Sequence, residues 1–407
     1  MSLNDCIQAQ ITAARPQAVG ALLRYFEDLD RAEDAFQEAC LRALQRWPKE
    51  GLPDQPVAWL IRCARNAGID EIRKTRRWVE DDQFTGSQAY VEDNELMIDQ
   101  LRYRDETLRL FFICCHPELS KVQQIALALK VVAGLSVEEI ARAFLVKAKT
   151  IEQRITRAKQ RVGQTRMAFK APTEATRLEY VQAVTTMIYL LFNEGYAASG
   201  GEAHIRQSLC TEAIRLARVL VRLFPNLPEV LALLSLCLLQ HARHRARLDE
   251  QGEIVLLENQ SRHLWDSAMI NEGTVLLEKA LRHGQVGPLQ LQAAIAATHA
   301  RAKKAEDTEW EEIARLYAAL ETVEASPVVT LNRYVALYQC GRVEEALAGV
   351  KGLQSELDGY FYFHGVHAAL LKALNRKEEA KEAFQRALTL AATPAEKNYI
   401  AKELEKL

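Results

Sequence analysis

The chain has 407 residues, with 52 Lys and Arg against 54 Asp and Glu, for a formal net charge of −2. That length calls for two or three domains with ample core, and the near-neutral balance excludes a uniformly basic nucleic-acid-coating protein, so any basic footprint must be local. Eight scattered cysteines with no CxxC pair, no N-terminal signal peptide, and a strongest apolar run (Val230 to Leu239) too short to span a bilayer point to a cytoplasmic protein with reduced thiols and no membrane segment.

Apolar residues recur at helical rather than alternating spacing almost everywhere, which predicts an all-α fold. The first informative element is Arg31–Leu44. Ala32, Ala35, Phe36, Ala39 and Leu41 can be buried there, while Glu33, Asp34, Gln37 and Glu38 form an acidic band expected on the exposed side. Next comes Trp59–Trp78, whose Leu60, Ala64, Ala67 and Ile72 make an apolar face. Arg62, Arg65, Asn66, Arg73, Lys74, Arg76 and Arg77 crowd the rest of this segment. Cations bind phosphates, amides read base edges and indoles stack on unpaired bases, so this helix suits DNA, single strands included.

Residues 79–100 contain no Lys or Arg but many Asp and Glu, as in a solvated acidic linker. The following block, 101–170, has two capping-box helix starts, Ser120 with Gln123 and Ser136 with Glu139. The second opens Val137–Leu145, and a tight turn through Val146–Ala148 leads into Lys149–Val162. Ile151, Ile155, Ala158 and Val162 line one face of that last helix; Lys149, Thr150, Gln153, Arg154 and Arg157 lie elsewhere on it. This is a helix-turn-helix pattern with a polar, basic second helix.

Two motifs, "RAEDAFQEACLRAL" and "AWLIRCARNAGID", occur in the order and spacing of sigma region two, and the stretch resembles the extracytoplasmic-function (ECF) sigma factors. "GLSVEEIARAFLVKAKTIEQRITRAKQRV" resembles sigma region four, with Leu145 in place of a common turn glycine and Glu152 where a lysine is common. The resemblance implies that residues 1–78 dock on core RNA polymerase through Glu33, Asp34, Gln37 and Glu38. It further implies that Trp59, Asn66, Asp70, Arg73, Lys74, Arg76 and Arg77 engage and help melt the minus-10 element. Lys149, Thr150, Gln153, Arg154 and Arg157 would read the minus-35 element, with the acidic linker running through a polymerase channel.

Residues 171–407 carry an internal repeat: Gly341-Arg-Val-Glu-Glu-Ala346 recurs as Asn375-Arg-Lys-Glu-Glu-Ala380, 34 positions on, the tetratricopeptide (TPR) period. Thr393 with Glu396 opens a capped terminal helix. Upstream, "YLLFNEGYAAS", "LCTEAIRLARVL", "GPLQLQAAIAATHA" and "ASPVVTLNRYVAL" resemble the extension of the TPR-bearing ECF subgroup, which implies a regulatory unit that contacts a protein or peptide. His241 with His244 and His364 with His367 have helical spacing but no metal-site motif around them. Cys114 and Cys115 end an apolar run and read as core, and Asn193–Tyr196 reads as a helix end with Gly195 past its last turn. No P-loop, GxSxG or dinucleotide fingerprint occurs.

These features together predict a three-part, all-α sigma factor that needs no cofactor or metal and has no catalytic residues. Its partners would be core polymerase, promoter DNA and a segment bound by the repeats. The rivals are a helix-turn-helix regulator with a TPR sensor that ignores polymerase, and more remotely a helical-repeat enzyme. An acidic docking helix directly before a basic, aromatic one separates the first reading from the second.

Overall fold

The protein is described from a computed structural model covering residues 3–77, 100–164 except Pro117 and Leu145, 174–196, and 207–407 except Gly252 and Gln285. Every regular element among the described residues is helical, apart from one antiparallel bridge, Leu248 to Ile254. The chain divides into two compact units, Met1–Met187 and Ile188–Leu407.

The first unit opens with three helices, α1 (Leu3–Phe26), α2 (Leu29–Glu50) and α3 (Pro56–Arg77), packed pairwise on one another. Asp28 caps α2 by accepting the Arg31 N–H at 3.0 Å, and Gly51, at φ 85°, ends it by donating back to the Trp47 carbonyl. Leu22, Leu23, Phe36, Trp47 and Leu60 are all at most 2% exposed and form the centre of this bundle. Burying each such side chain contributes about 1.5–3 kcal/mol. Helix α4 (Gln100–Cys114) crosses α1 at Gly20, where a Cβ would sit 2.4 Å from the Glu106 carbonyl oxygen. Only glycine permits that approach. Cys114 and Cys115 pack as core, and burial holds both thiols up, Cys115 at about 12.

Ser120 and Gln123 form the expected reciprocal cap at α5 (Lys121–Ala128), which runs into a π-helical turn, Leu129–Ala133. Ser136 and Glu139 cap α6 (Val137–Phe144) in the same way, and α7 is Ala148–Gln164.

The second unit begins within α8 (Glu174–Tyr196) and centres on α10 (Pro228–His241). Helices α9 (Gln207–Leu223), α11 (Ser267–Leu281) and α12 (Pro288–Arg301) surround α10, so every residue from Val230 to Leu239 is buried. At Gly273 a Cβ would lie 2.9 Å from Leu239, and the Ser235 hydroxyl donates to the Gly273 carbonyl at 2.7 Å. Then follow α13 (Trp310–Val323), α14 (Pro327–Gln339), α15 (Val343–Gly352), the one-turn α16 (Gln354–Leu357), α17 (Phe361–Ala373), α18 (Lys377–Leu390) and α19 (Pro394–Glu405).

The 34-residue offset is visible bond by bond. Gly341 (φ 82°) and Asn375 (φ 59°) take the same left-handed position between paired helices. Arg342 N–H reaches Leu337 O as Arg376 N–H reaches Leu371 O, closing the same helix-ending motif twice. Arg342–Glu345 and Arg376–Glu379 repeat one ion pair. Ala346, Val350, Ala380, Phe384 and Ala387 fill one core.

Candidate polymerase and nucleic-acid interface

Helix α2 buries Ala32, Ala35, Phe36, Ala39, Ala43 and Trp47, and with them Glu33, which is 3% exposed. The sequence pattern puts Glu33 on the exposed acidic band; the structure corrects this. Its carboxylate accepts from Arg15 Nη2 at 2.7 Å and from Lys159 Nζ at 2.7 Å, and two cations offset the cost of removing one anion from water. Arg15 also donates to the carbonyls of Val131 (3.0 Å) and Lys130 (3.2 Å), passing Gly134, whose missing Cβ leaves it room.

Asp34 and Gln37 are exposed as expected, and Glu38 is half-buried, bonded to Arg42 Nε at 3.0 Å. Leu41 departs from expectation: it is 56% exposed, with Leu44 at 43%. Positions 34, 37, 41 and 44 fall on one helical stripe, acidic at one end and apolar at the other. The exposed leucines are what sequence reasoning missed. Their helical phase relative to Asp34 was the available signal.

In α3, Leu60, Ala64 and Ala67 are buried as the spacing predicts, and Gly68 lets the Phe26 ring close to within 2.4 Å of where a Cβ would stand. Trp59 is half-buried and packs edge-to-ring against Trp47, centroids 5.4 Å apart, so part of its indole is committed to the fold. Arg62 and Asn66 are exposed, and Arg65 lies 4.5 Å over the Tyr25 ring. Asp70, Arg73, Lys74, Arg76 and Arg77 continue the helix, but their side chains lie outside the described residues, as do Trp78 and nearly all of the acidic 79–100 segment.

Helix α7 sorts its residues by face. Ile151, Ile155, Ala158 and Val162 are buried; Lys149, Gln153 and Arg157 are exposed; Thr150 and Arg154 are half-buried. Among the described residues Lys149, Arg154 and Arg157 have no carboxylate partner. Lys159 turns the other way and bonds Asp30 Oδ1 at 2.6 Å as well as Glu33. Burial works against its charge, but Glu33 and Asp30 outweigh it and raise its pKa.

In the second unit Gly195 lies inside the last turn of α8 rather than past it. The neighbouring Tyr196 is held by Arg243 Nη2 at 2.6 Å on its hydroxyl and by the Arg247 guanidinium 3.8 Å over its ring. Its hydroxyl pKa is lowered: burial raises it, and the two arginines more than reverse that. His241 and His244 stack with centroids 4.5 Å apart, and burial first, then His244, holds His241 down at about 4. No group of three metal-ligating side chains occurs among the described residues, and no described helix is long and apolar enough to cross a membrane.

Comparison with known proteins gives this geometry a frame. Residues 11–78 match Sigma-70 region 2, residues 112–162 match Sigma-70 region 4, and residues 180–281 match a family of unknown function, DUF6596. An uncharacterized protein of Rhizobium meliloti is 52% identical over all of this chain and 97% of its own length. The ECF RNA polymerase sigma factor EcfG of Rhodopseudomonas palustris is 31% identical over 40% of this chain and 86% of its own. A probable ECF RNA polymerase sigma factor, SigI of Mycobacterium tuberculosis, is 27% identical over 41% of this chain and 58% of its own. Two capped helical modules packed within one unit, each matching its sigma region in the right order, and a relative nearly spanned by them lead to one conclusion: the chain belongs to the ECF family of RNA polymerase sigma factors.

Proposed function

We propose that this sigma factor docks on core polymerase through the α2 stripe of Asp34, Gln37, Glu38, Leu41 and Leu44, while Glu33 acts from within as the residue that positions it. Residues 1–78 then engage the minus-10 element through Trp59, Asn66, Asp70, Arg73, Lys74, Arg76 and Arg77. Residues 101–170 read the minus-35 element through Lys149, Thr150, Gln153, Arg154 and Arg157, joined to the first module by the acidic 79–100 linker. The repeats of 171–407 regulate that activity, and the protein works in the cytoplasm and performs no chemistry of its own.

The observation that carries this reading is the separation of surfaces. An acidic and leucine-bearing face on α2 suits a protein partner, and a basic and amide-bearing face on α7 suits DNA. Charge reversal at Asp34 and Glu38, or Leu41→Glu alone, should abolish core-polymerase capture in a pull-down. Melting should stay within ~0.5 kcal/mol of the parent, as for exposed helix positions generally. Undiminished capture by both variants would remove α2 from the docking surface.

A further inference from the structure

The second unit keeps a cavity of about 350 Å³ on the side where α14 and α17 face α19. That is within the range of about 300–1,000 Å³ typical of small-ligand sites. Six aromatic side chains line it, Trp310, Tyr317, Tyr338, Phe361, Tyr362 and Tyr399, with aliphatic residues between them. Among the described residues, none of the four tyrosine hydroxyls bonds to another side chain or backbone group. His299 stands 5.1 Å from Trp310, edge to ring, and its Nδ1 is buried without a partner. Burial, then Arg243 and Arg262, push this imidazole down to about 3, so it is neutral in the folded protein.

Helix pairs with this repeat usually leave an open groove through which a peptide can run. Here the chain's own segment obstructs it. Ile254, Leu256 and Leu257 form part of the lining, and the segment is anchored by the Lys402–Glu253 ion pair and by Gln339 Nε2 donating to Glu258 at 3.4 Å. The remaining space suits a compact molecule better than an extended chain.

Its charge is equally selective. Among the described residues, Glu258, exposed at the rim and engaged by Gln339, is the only Asp, Glu, Lys or Arg in the lining. Arg243 and Arg262, whose charges His299 feels, are not among the lining residues, so an anion makes no direct contact with a cation there. Aromatic walls favour stacked rings, and unpaired hydroxyls reward a ligand that carries acceptors. We propose that this cavity is a binding site for an uncharged, planar aromatic small molecule. It goes beyond regulation by protein contact and involves neither the polymerase nor the promoter face, so its failure would leave those untouched.

Gly365 of α17 supplies the test, because it lines the cavity and a Cβ there would meet nothing within 4 Å. A Cβ can therefore be added here without displacing protein, and a larger side chain built from it occupies part of the site. The full chain is titrated with N-phenylnaphthylamine, an uncharged aromatic fluorophore that brightens in apolar surroundings. The parent should saturate at one probe per chain and melt higher when the probe is bound. Gly365→Leu should lose about tenfold or more in affinity while keeping parental helicity by circular dichroism. Ala369→Leu, one turn on, serves as a second plug, and Gly352→Ala, outside the lining, should bind as the parent does. No saturable binding to the parent, or equal binding to both folded plugged variants, would overturn the proposal. So would an aromatic peptide that binds, and is blocked by Gly365→Leu, where the fluorophore does not.

Discussion

Lys159 of α7 places its ammonium 2.7 Å from the buried carboxylate of Glu33 on α2, so the second helix of the helix-turn-helix is tied to the helix that carries the acidic face. Glu33→Gln leaves Arg15 and Lys159 facing a neutral amide and should destabilise the first unit by about 3 kcal/mol, read from chemical denaturation. Lys159→Met should instead release α7 from α2 and raise core-polymerase affinity severalfold in an anisotropy titration. The pH behaviour has a definite sign. The folded pKa of Lys159 is raised from 10.5, so its contribution is complete below that value and is lost only as pH climbs through the higher folded one. The tie therefore persists at neutral pH. A parent protein that loosens between neutrality and about pH 9 would contradict this assignment.

Arg154→Ala should relax preference at one minus-35 position by about 1–3 kcal/mol if its guanidinium reads a base edge. Arg157→Ala, at an exposed position, should weaken binding across sequences and flatten the salt dependence as a phosphate contact would. Transcription from a randomised template library distinguishes the two. An unaltered preferred sequence for Arg154→Ala would end its role as a reader.

Acid should act first on the second unit. His241 and His299 are held at about 4 and about 3 against an ordinary 6.5, so unfolding takes up protons below 6.5 and stability falls as pH drops through that window. Each tenfold loss of proton affinity on folding corresponds to about 1.4 kcal/mol, so the two imidazoles together are worth several kcal/mol by about pH 4. Melting curves of the parent and of His299→Gln should diverge from pH 6.5 downward, with the variant flatter. Parallel curves would mean that the imidazole is free to charge in the fold.

Removing residues 171–407 should leave core-polymerase binding measurable while changing promoter-dependent transcription severalfold. Indistinguishable transcription by the shortened and full chains, with and without cell extract, would make the repeats a passenger.

Much of this architecture was legible because it is local. A capping box needs four consecutive residues, which is why the starts of α5, α6 and α19 could be read at Ser120, Ser136 and Thr393. The inward face of α7 follows from helical spacing alone, and the 34-residue offset needs only two copies. Glu33 was misplaced because its burial depends on Arg15 from one helix and Lys159 from another, 126 positions away. No periodicity encodes that pairing. Leu41 departs for the converse reason: an apolar residue predicts burial only where a neighbour covers it, and none does among the described residues. The aromatic cavity escaped because its walls come from five helices and a loop, and so it exists only after folding.

The sealed helix α10 has a consequence for dissecting the second unit. The stretch matching the family of unknown function stops at residue 281, yet α12, which begins at Pro288, forms one wall around α10. A fragment excised at that boundary would turn a leucine-rich flank of Val230–Leu239 toward water, and so would self-associate rather than behave as an autonomous module. Extending the fragment to Arg301 would restore that wall but expose Leu291 and Ile295 of α12, which share one core with Ile313 and Leu320 of α13, so the second unit is best handled whole.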